Sequence, residues 1–195
     1  MESVSLVLFL VSFTAALLLF GLTLAGYLSS ALEFWPPPRS PSWQSRLFKA
    51  LFRIFIVGLV SLSLVDLNPG LWRTVIGMLL AIAGFGFAID LTSILGWRSA
   101  FGEAGELRTD GAFRWSRNPI YIASIVGMIG WGLAVGSSLV ATLLFFWGAM
   151  YCFAPIVEEP WLTKRYGKDY LSYMKRTPRY FGRRPNEKYQ QTRDS

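Results

Sequence analysis

From Val4 to Leu28 the sequence runs for 25 residues without a charged side chain. About 20 apolar residues in a helix are enough to cross the roughly 30 Å hydrocarbon core of a bilayer. Inside lipid, only helices and closed barrels satisfy every backbone polar group. A single unbroken apolar run of this length is that of a spanning helix. The run therefore points to a helical membrane protein. Four more runs repeat the pattern, at about residues 47–65, 71–95, 119–135 and 139–157. The expected fold is an all-α integral membrane protein with five transmembrane helices. Charged residues make up only 16% of the chain and hydrophobic ones 53%, and a soluble domain carries about a quarter charged.

The breaks between runs are as clear as the runs. Pro36-Pro37-Pro38 stops a helix after the first. Asn68-Pro69-Gly70 and Gly136-Ser137-Ser138 read as short turns. The first run does not resemble a cleaved leader, because Glu2 and no base precede it and it is too long. Basic residues stay on the cytoplasmic side of a membrane. Arg39, Arg46, Lys49 and Arg53 surround the start of the second run, and Arg98, Arg108, Arg114 and Arg117 fill the loop before the fourth. Ten more basic residues, against three acids, follow Pro160. With five spans all three groups fall on one side, so the expected topology has the N-terminus out and the C-terminus cytoplasmic.

The chain has no His and one Cys, Cys152. Zinc or haem sites of the usual kinds are not expected, nor is a Ser-His or Cys-His pair, and no metal site is assigned. The basic C-terminal segment suits anionic lipid headgroups. Its aromatics, Trp161, Tyr166, Tyr170 and Tyr173, are spaced for one face of an interfacial helix rather than for stacking bases, so nucleic acid is not an expected partner.

The stretch Arg117-Asn118-Pro119-Ile120-Tyr121 opens the fourth run. Asn118 suits an N-cap and Pro119 the first helical position. Span four runs for about 24 Å and span five returns for about 28 Å. Their three-residue turn makes a tight hairpin, which brings Glu158-Glu159 back to Arg117–Tyr121. Two acids at a helix C-terminus oppose the macrodipole, so they either pair with nearby arginines, cap a further helix near Pro160, or serve a site. Ala123, Gly127, Gly130 and Gly132 allow close approach on span four, by a helix or by a bound molecule. Asp90, within the third run, is a candidate pocket residue, with pairing to Arg98 or snorkelling as the plain alternative.

Together these elements resemble the isoprenylcysteine carboxyl methyltransferase family of integral membrane enzymes, a group that extends to phospholipid N-methyltransferases. The likeness runs from LRTDGAFRWSRNPIYIA through GMIGWGLAVGS to EEPWLTKRYGKDYLSYMKRTPRYF. The family pattern is Arg-His-Pro-x-Tyr, a Gly-rich outgoing helix, a Glu-Glu pair, and tyrosines followed by Pro-Arg. Here the His position is Asn118, which cannot act as a base near neutral pH, so the position is read as cofactor-binding or structural. The resemblance implies S-adenosylmethionine as cofactor. By it, Asn118, Pro119, Tyr121, Gly130, Gly132, Glu158, Glu159, Tyr166, Tyr170 and Arg179 would bind the cofactor, with the tail helix as a lid. Glu158 and Arg117 are the catalytic candidates.

On this reading residues 1–106 hold three spans, 107–182 form the methyltransferase core with a C-terminal interfacial helix, and 183–195 are a flexible basic tail. The acceptor would be lipophilic or prenylated, carboxylate first by resemblance, entering from the bilayer to a cytoplasmic-side site. Phospholipid, amine or thiol methylation, an NADPH-dependent sterol-reductase-like activity, and a non-enzymatic membrane role are the alternatives. A bacterial inner membrane is the first expectation and the endoplasmic reticulum the second. No obligate protein partner is evident.

Overall fold

A computed structural model describes residues 2–29, 34, 42–100 and 105–182. The proline stop at 36–38 and the basic segment 183–195 lie outside the described residues. Among the described residues every regular element is helical. The chain forms α1 (Glu2–Leu28), α2 (Trp43–Val65), α3 (Leu71–Leu95), a short α4 (Trp97–Ala100), a 3-10 turn at Gly111–Arg114, α5 (Pro119–Val135), α6 (Ser138–Tyr166) and α7 (Lys168–Arg176). Four of these, α1, α2, α3 and α6, are long and apolar enough to cross a membrane. The fifth expected span, α5, is a shorter apolar helix of 17 residues, about 26 Å long.

Two boundaries differ from expectation. Helix α2 begins at Trp43, capped by the Ser42 hydroxyl, which accepts from the Ser45 N–H at 3.2 Å. The cap draws the polar residues before the apolar run into the helix. Helix α6 does not stop at Val157 but runs through Pro155, Glu158-Glu159 and Pro160 to Tyr166. Each proline removes one intrahelical hydrogen bond without breaking the helix, so the acidic pair caps no new helix. The interfacial helix starts later, at Lys168, after Gly167 turns the chain at φ 56°.

Helix α1 packs on α2, α3 on α5, and α6 lies against α5, α1 and α2. The core between them gathers Leu19, Phe55, Leu59, Leu62, Val140 and Leu143. At the end opposite α7, Asn68 N–H donates to the Val135 carbonyl at 2.9 Å and the Ser137 hydroxyl donates to Asp66. This ties the α2–α3 turn to the α5–α6 turn and sets the ends of α2 and α5 level.

The α3–α5 seam is backbone against backbone. A Cβ at Gly84 would meet Gly127 N at 2.3 Å, and one at Gly130 would meet Ala81 N at 2.3 Å. The glycines of α5 are therefore used for helix packing. A Gly84→Leu variant is expected to force α3 from α5 and cost about 1–3 kcal/mol or more, read as a lower thermal midpoint in detergent.

Candidate active site

Where α5 begins, the chain is clasped by its own C-terminal segment. Arg117 N–H donates to the Pro178 carbonyl at 2.9 Å. The Arg179 carbonyl accepts from the Ser116 hydroxyl at 3.1 Å and from Asn118 Nδ2 at 3.0 Å. Asn118 is the N-cap residue by position, yet its side chain makes no cap hydrogen bond. The amide nitrogen donates to the Arg179 carbonyl, and the side-chain oxygen accepts no N–H of the first turn, so α5 lacks the side-chain cap expected from sequence.

The clasp is completed by charge. Glu159 receives Arg179 in a forked pair, Nε on Oε1 at 2.8 Å and Nη2 on Oε2 at 2.5 Å, and Arg117 Nη1 lies 3.0 Å from the same Oε1. The Arg117 and Glu159 side chains are only 8% and 12% exposed. The Glu159 hydrogen bond raises the pKa of the Arg179 guanidinium further above its ordinary value. Tyr173 in α7 donates to the Phe113 carbonyl at 2.7 Å, and Tyr166 to the Gly105 carbonyl at 2.9 Å. Burial pushes the Tyr170 and Tyr173 hydroxyls above their ordinary range, so both are protonated at neutral pH.

Beneath the clasp lies a cavity of about 600 Å³, within the range of cofactor and ligand pockets. Glu158 faces it, and its Oε1 accepts a 2.5 Å hydrogen bond from the Tyr121 hydroxyl. Tyr121, Tyr151 and Trp147 form one aromatic wall, packed edge to face with centroids 5.0 and 5.6 Å apart. Further in, Phe85, Ala88, Met128 and Trp131 make an apolar end. Trp131 Nε1 reaches across to Ser63 of α2 at 3.1 Å.

The sequence candidates divide on this geometry. Arg117, Asn118, Pro119, Tyr121, Glu158, Tyr166 and Tyr170 line the cavity. Glu159 and Arg179 do not; they hold the clasp. Gly130 packs on α3 and Gly132 faces Leu144, so neither opens space for a ligand. Asp90 is not on the wall either. It is exposed on the outer side of α3, because Ala88 and Thr92 take the inward positions on either side of it.

Tyr151, Trp147 and Trp131 line the cavity but are not among the sequence candidates, and Trp161 and Tyr173, expected only on the interfacial helix face, line it too. Tyr151 precedes Glu158 by seven residues and Trp147 precedes Tyr151 by four, spacings that share one helix face. That signal was legible in the α6 sequence.

Comparison with known proteins bears on this arrangement. No solved structure matches the chain. The nickel-cobalt-cadmium resistance protein NccN of Alcaligenes xylosoxydans xylosoxydans is 33% identical over 78 residues, which is 40% of this chain and 37% of that protein. The chain thus matches little more than a third of that relative's length. The phospholipid methyltransferase family model matches residues 72–169, from the start of α3 to the start of α7, and so takes in the α3–α5 seam, Arg117–Tyr121 and the Glu158-Glu159 pair. Half of the chain answers to that model, and the chain belongs to the phospholipid methyltransferase family, membrane methyltransferases related to the isoprenylcysteine carboxyl methyltransferases.

Proposed function

We propose that the cavity binds S-adenosylmethionine and that the protein methylates a lipophilic acceptor, with a carboxylate, as in the isoprenylcysteine carboxyl methyltransferases, the first choice. The observation that carries this is Glu158, fixed by Tyr121 at the rim of an aromatic wall. A carboxylate beside Tyr121, Tyr151 and Trp147 suits a cation carried on a largely apolar body. The first turn of α5, with no side-chain cap from Asn118, offers N–H groups to an anion, and Arg117 stands beside it. The donor set thus fits a molecule that carries a sulfonium, an amine, hydroxyls and a carboxylate.

When bound, the cofactor supplies a methyl carbon on sulfur for in-line displacement by the acceptor. The chain's own part is positioning. Tyr121 keeps Glu158 aimed, the clasp holds α5's first turn in place, and the wall excludes water. A carboxylate acceptor needs no base, which agrees with the absence of His. An amine acceptor would need to lose a proton, and Glu158 is a carboxylate on the cavity wall able to take it. We infer from the basic segments that the clasp faces the cytoplasm and the N-terminus lies outside, in a bacterial inner membrane first of all, with the acceptor arriving from the bilayer.

The test is calorimetric binding of S-adenosylmethionine and its demethylated product to the protein in detergent, with a nicotinamide dinucleotide as control. Micromolar binding of both methionine-derived ligands is expected, and none of the dinucleotide. A folded protein that binds neither ends this reading.

A further inference from the structure

One stripe of α6 runs the length of the cavity. Trp147, Tyr151, Glu158 and Leu162 all line it, and their spacings of four, seven and four residues keep them on one helix face. Trp161, beside Leu162, lines it as well. Trp147 lies about 17 Å before Glu158 along the axis and Trp161 about 4.5 Å beyond it. The two ends of the stripe differ in chemistry. At the Trp147 end the cavity is walled by Phe85, Ala88 and Met128, which offer a polar group no partner. At the Trp161 end it is walled by the segment before α5, including Glu106 and Leu107. The Tyr166 hydroxyl donates to the Gly105 carbonyl at 2.9 Å, which holds Glu106 at the end of α6. Glu106 is exposed and takes no ion pair among the described residues. The Arg165 guanidinium lies 5.5 Å over the Trp161 ring and 5.4 Å over the Tyr166 ring. Its Nε is buried without a hydrogen bond, so the rings are what place it. One face of the Trp161 indole is covered in this way.

We propose that this end of the cavity is a nucleoside subsite, in which the uncovered face of Trp161 stacks on the purine and Glu106 accepts hydrogen bonds from the ribose hydroxyls. The proposal rests on the S-adenosylmethionine reading and assigns which half of the cavity takes which half of the cofactor. A hydroxyl placed against Phe85 and Met128 would lose its water partners and find no others, so the sugar belongs at the Trp161 end. The gap from Glu158 to Trp161 is one that a single ribose spans. A sulfonium beside Glu158 therefore puts a purine beside Trp161, and the apolar end is left for the acceptor. Neither Trp161 nor Glu106 is an element of the family pattern.

The probes are S-adenosylhomocysteine and its 2′-deoxyribose analogue, titrated into the protein in detergent and followed by calorimetry and by tryptophan fluorescence. A stacked purine quenches an indole, so the emission of the wild type is expected to fall as S-adenosylhomocysteine binds. Trp161→Phe keeps a ring to stack on, and is expected to bind nearly as well as the wild type while losing most of the quench. Trp161→Ala is expected to bind about tenfold more weakly, the usual loss of one base stack. The wild type is expected to prefer the ribose ligand to the deoxyribose one by about tenfold, as a charged hydrogen bond would give. Glu106→Ala is expected to lose that preference and to bind the deoxyribose ligand as the wild type does. A quench that survives in Trp161→Phe, or a ribose preference that survives in Glu106→Ala, overturns the proposal. A folded wild type that binds neither ligand removes the cofactor reading and this one with it. Binding with every variant unchanged removes this one alone.

Discussion

Replacing Glu159 with alanine is expected to cost about 3–5 kcal/mol, the usual loss when one member of a buried ion pair is removed. Arg117 would remain buried with no counter-charge, and Arg179 would lose both hydrogen bonds of its fork. The C-terminal segment would then be held at the start of α5 by the Ser116, Asn118 and Arg117 N–H hydrogen bonds and by the Tyr180 hydroxyl, which donates to the Cys152 carbonyl, with no ion pair. The measurement is thermal unfolding in detergent, followed by limited proteolysis at low temperature. Cleavage near Arg176 and Arg179 should accelerate well before the transmembrane helices melt. An unchanged midpoint and unchanged cleavage would mean that the clasp does not depend on Glu159.

The opposite behaviour is expected one residue earlier. Glu158→Ala should weaken S-adenosylmethionine binding by about a hundredfold, since charge-assisted hydrogen bonds to a ligand are worth about 1.5–3 kcal/mol. Thermal stability should fall less than in Glu159→Ala, because Glu158 lines the cavity and gives up the Tyr121 hydrogen bond rather than the forked arginine pair. Glu158→Gln keeps a hydrogen bond to Tyr121 without the charge, so it is expected to bind between the two. Calorimetry and a melting curve on each variant read both quantities. Binding at wild-type strength in Glu158→Ala would move the cofactor site elsewhere in the cavity. The adjacent glutamates thus serve different ends: Glu159 holds the fold at α5's start, and Glu158 is offered to the ligand.

That division was hidden in the sequence. Adjacent residues on a helix point about 100° apart, but nothing local says which one faces a neighbour and which a cavity. The same holds for the glycines. The spacing of Ala123, Gly127 and Gly130 showed that something approaches α5 closely. Only the packing of α3 showed that it is another backbone. Asn118 carried a correct N-cap signal for where α5 begins. The use of its side chain depended on Arg179, 61 residues away.

What the sequence determined by itself were the properties that local chemistry enforces. The apolar runs demanded helices because lipid offers the backbone no partners. Proline, glycine and asparagine at the ends of α3 and α5 placed those helices at Leu71–Leu95 and Pro119–Val135. The short turn at Gly136-Ser137 forced the hairpin that brings Glu158 to Tyr121. What only the tertiary structure decided was the allocation of polar groups. It buried Glu159 between Arg117 and Arg179, left Asp90 outside, and brought the α6 aromatics to the cavity wall. Local propensity is a property of a few neighbouring residues, whereas burial and ion pairing depend on which segments, far apart in the chain, share the same few ångströms.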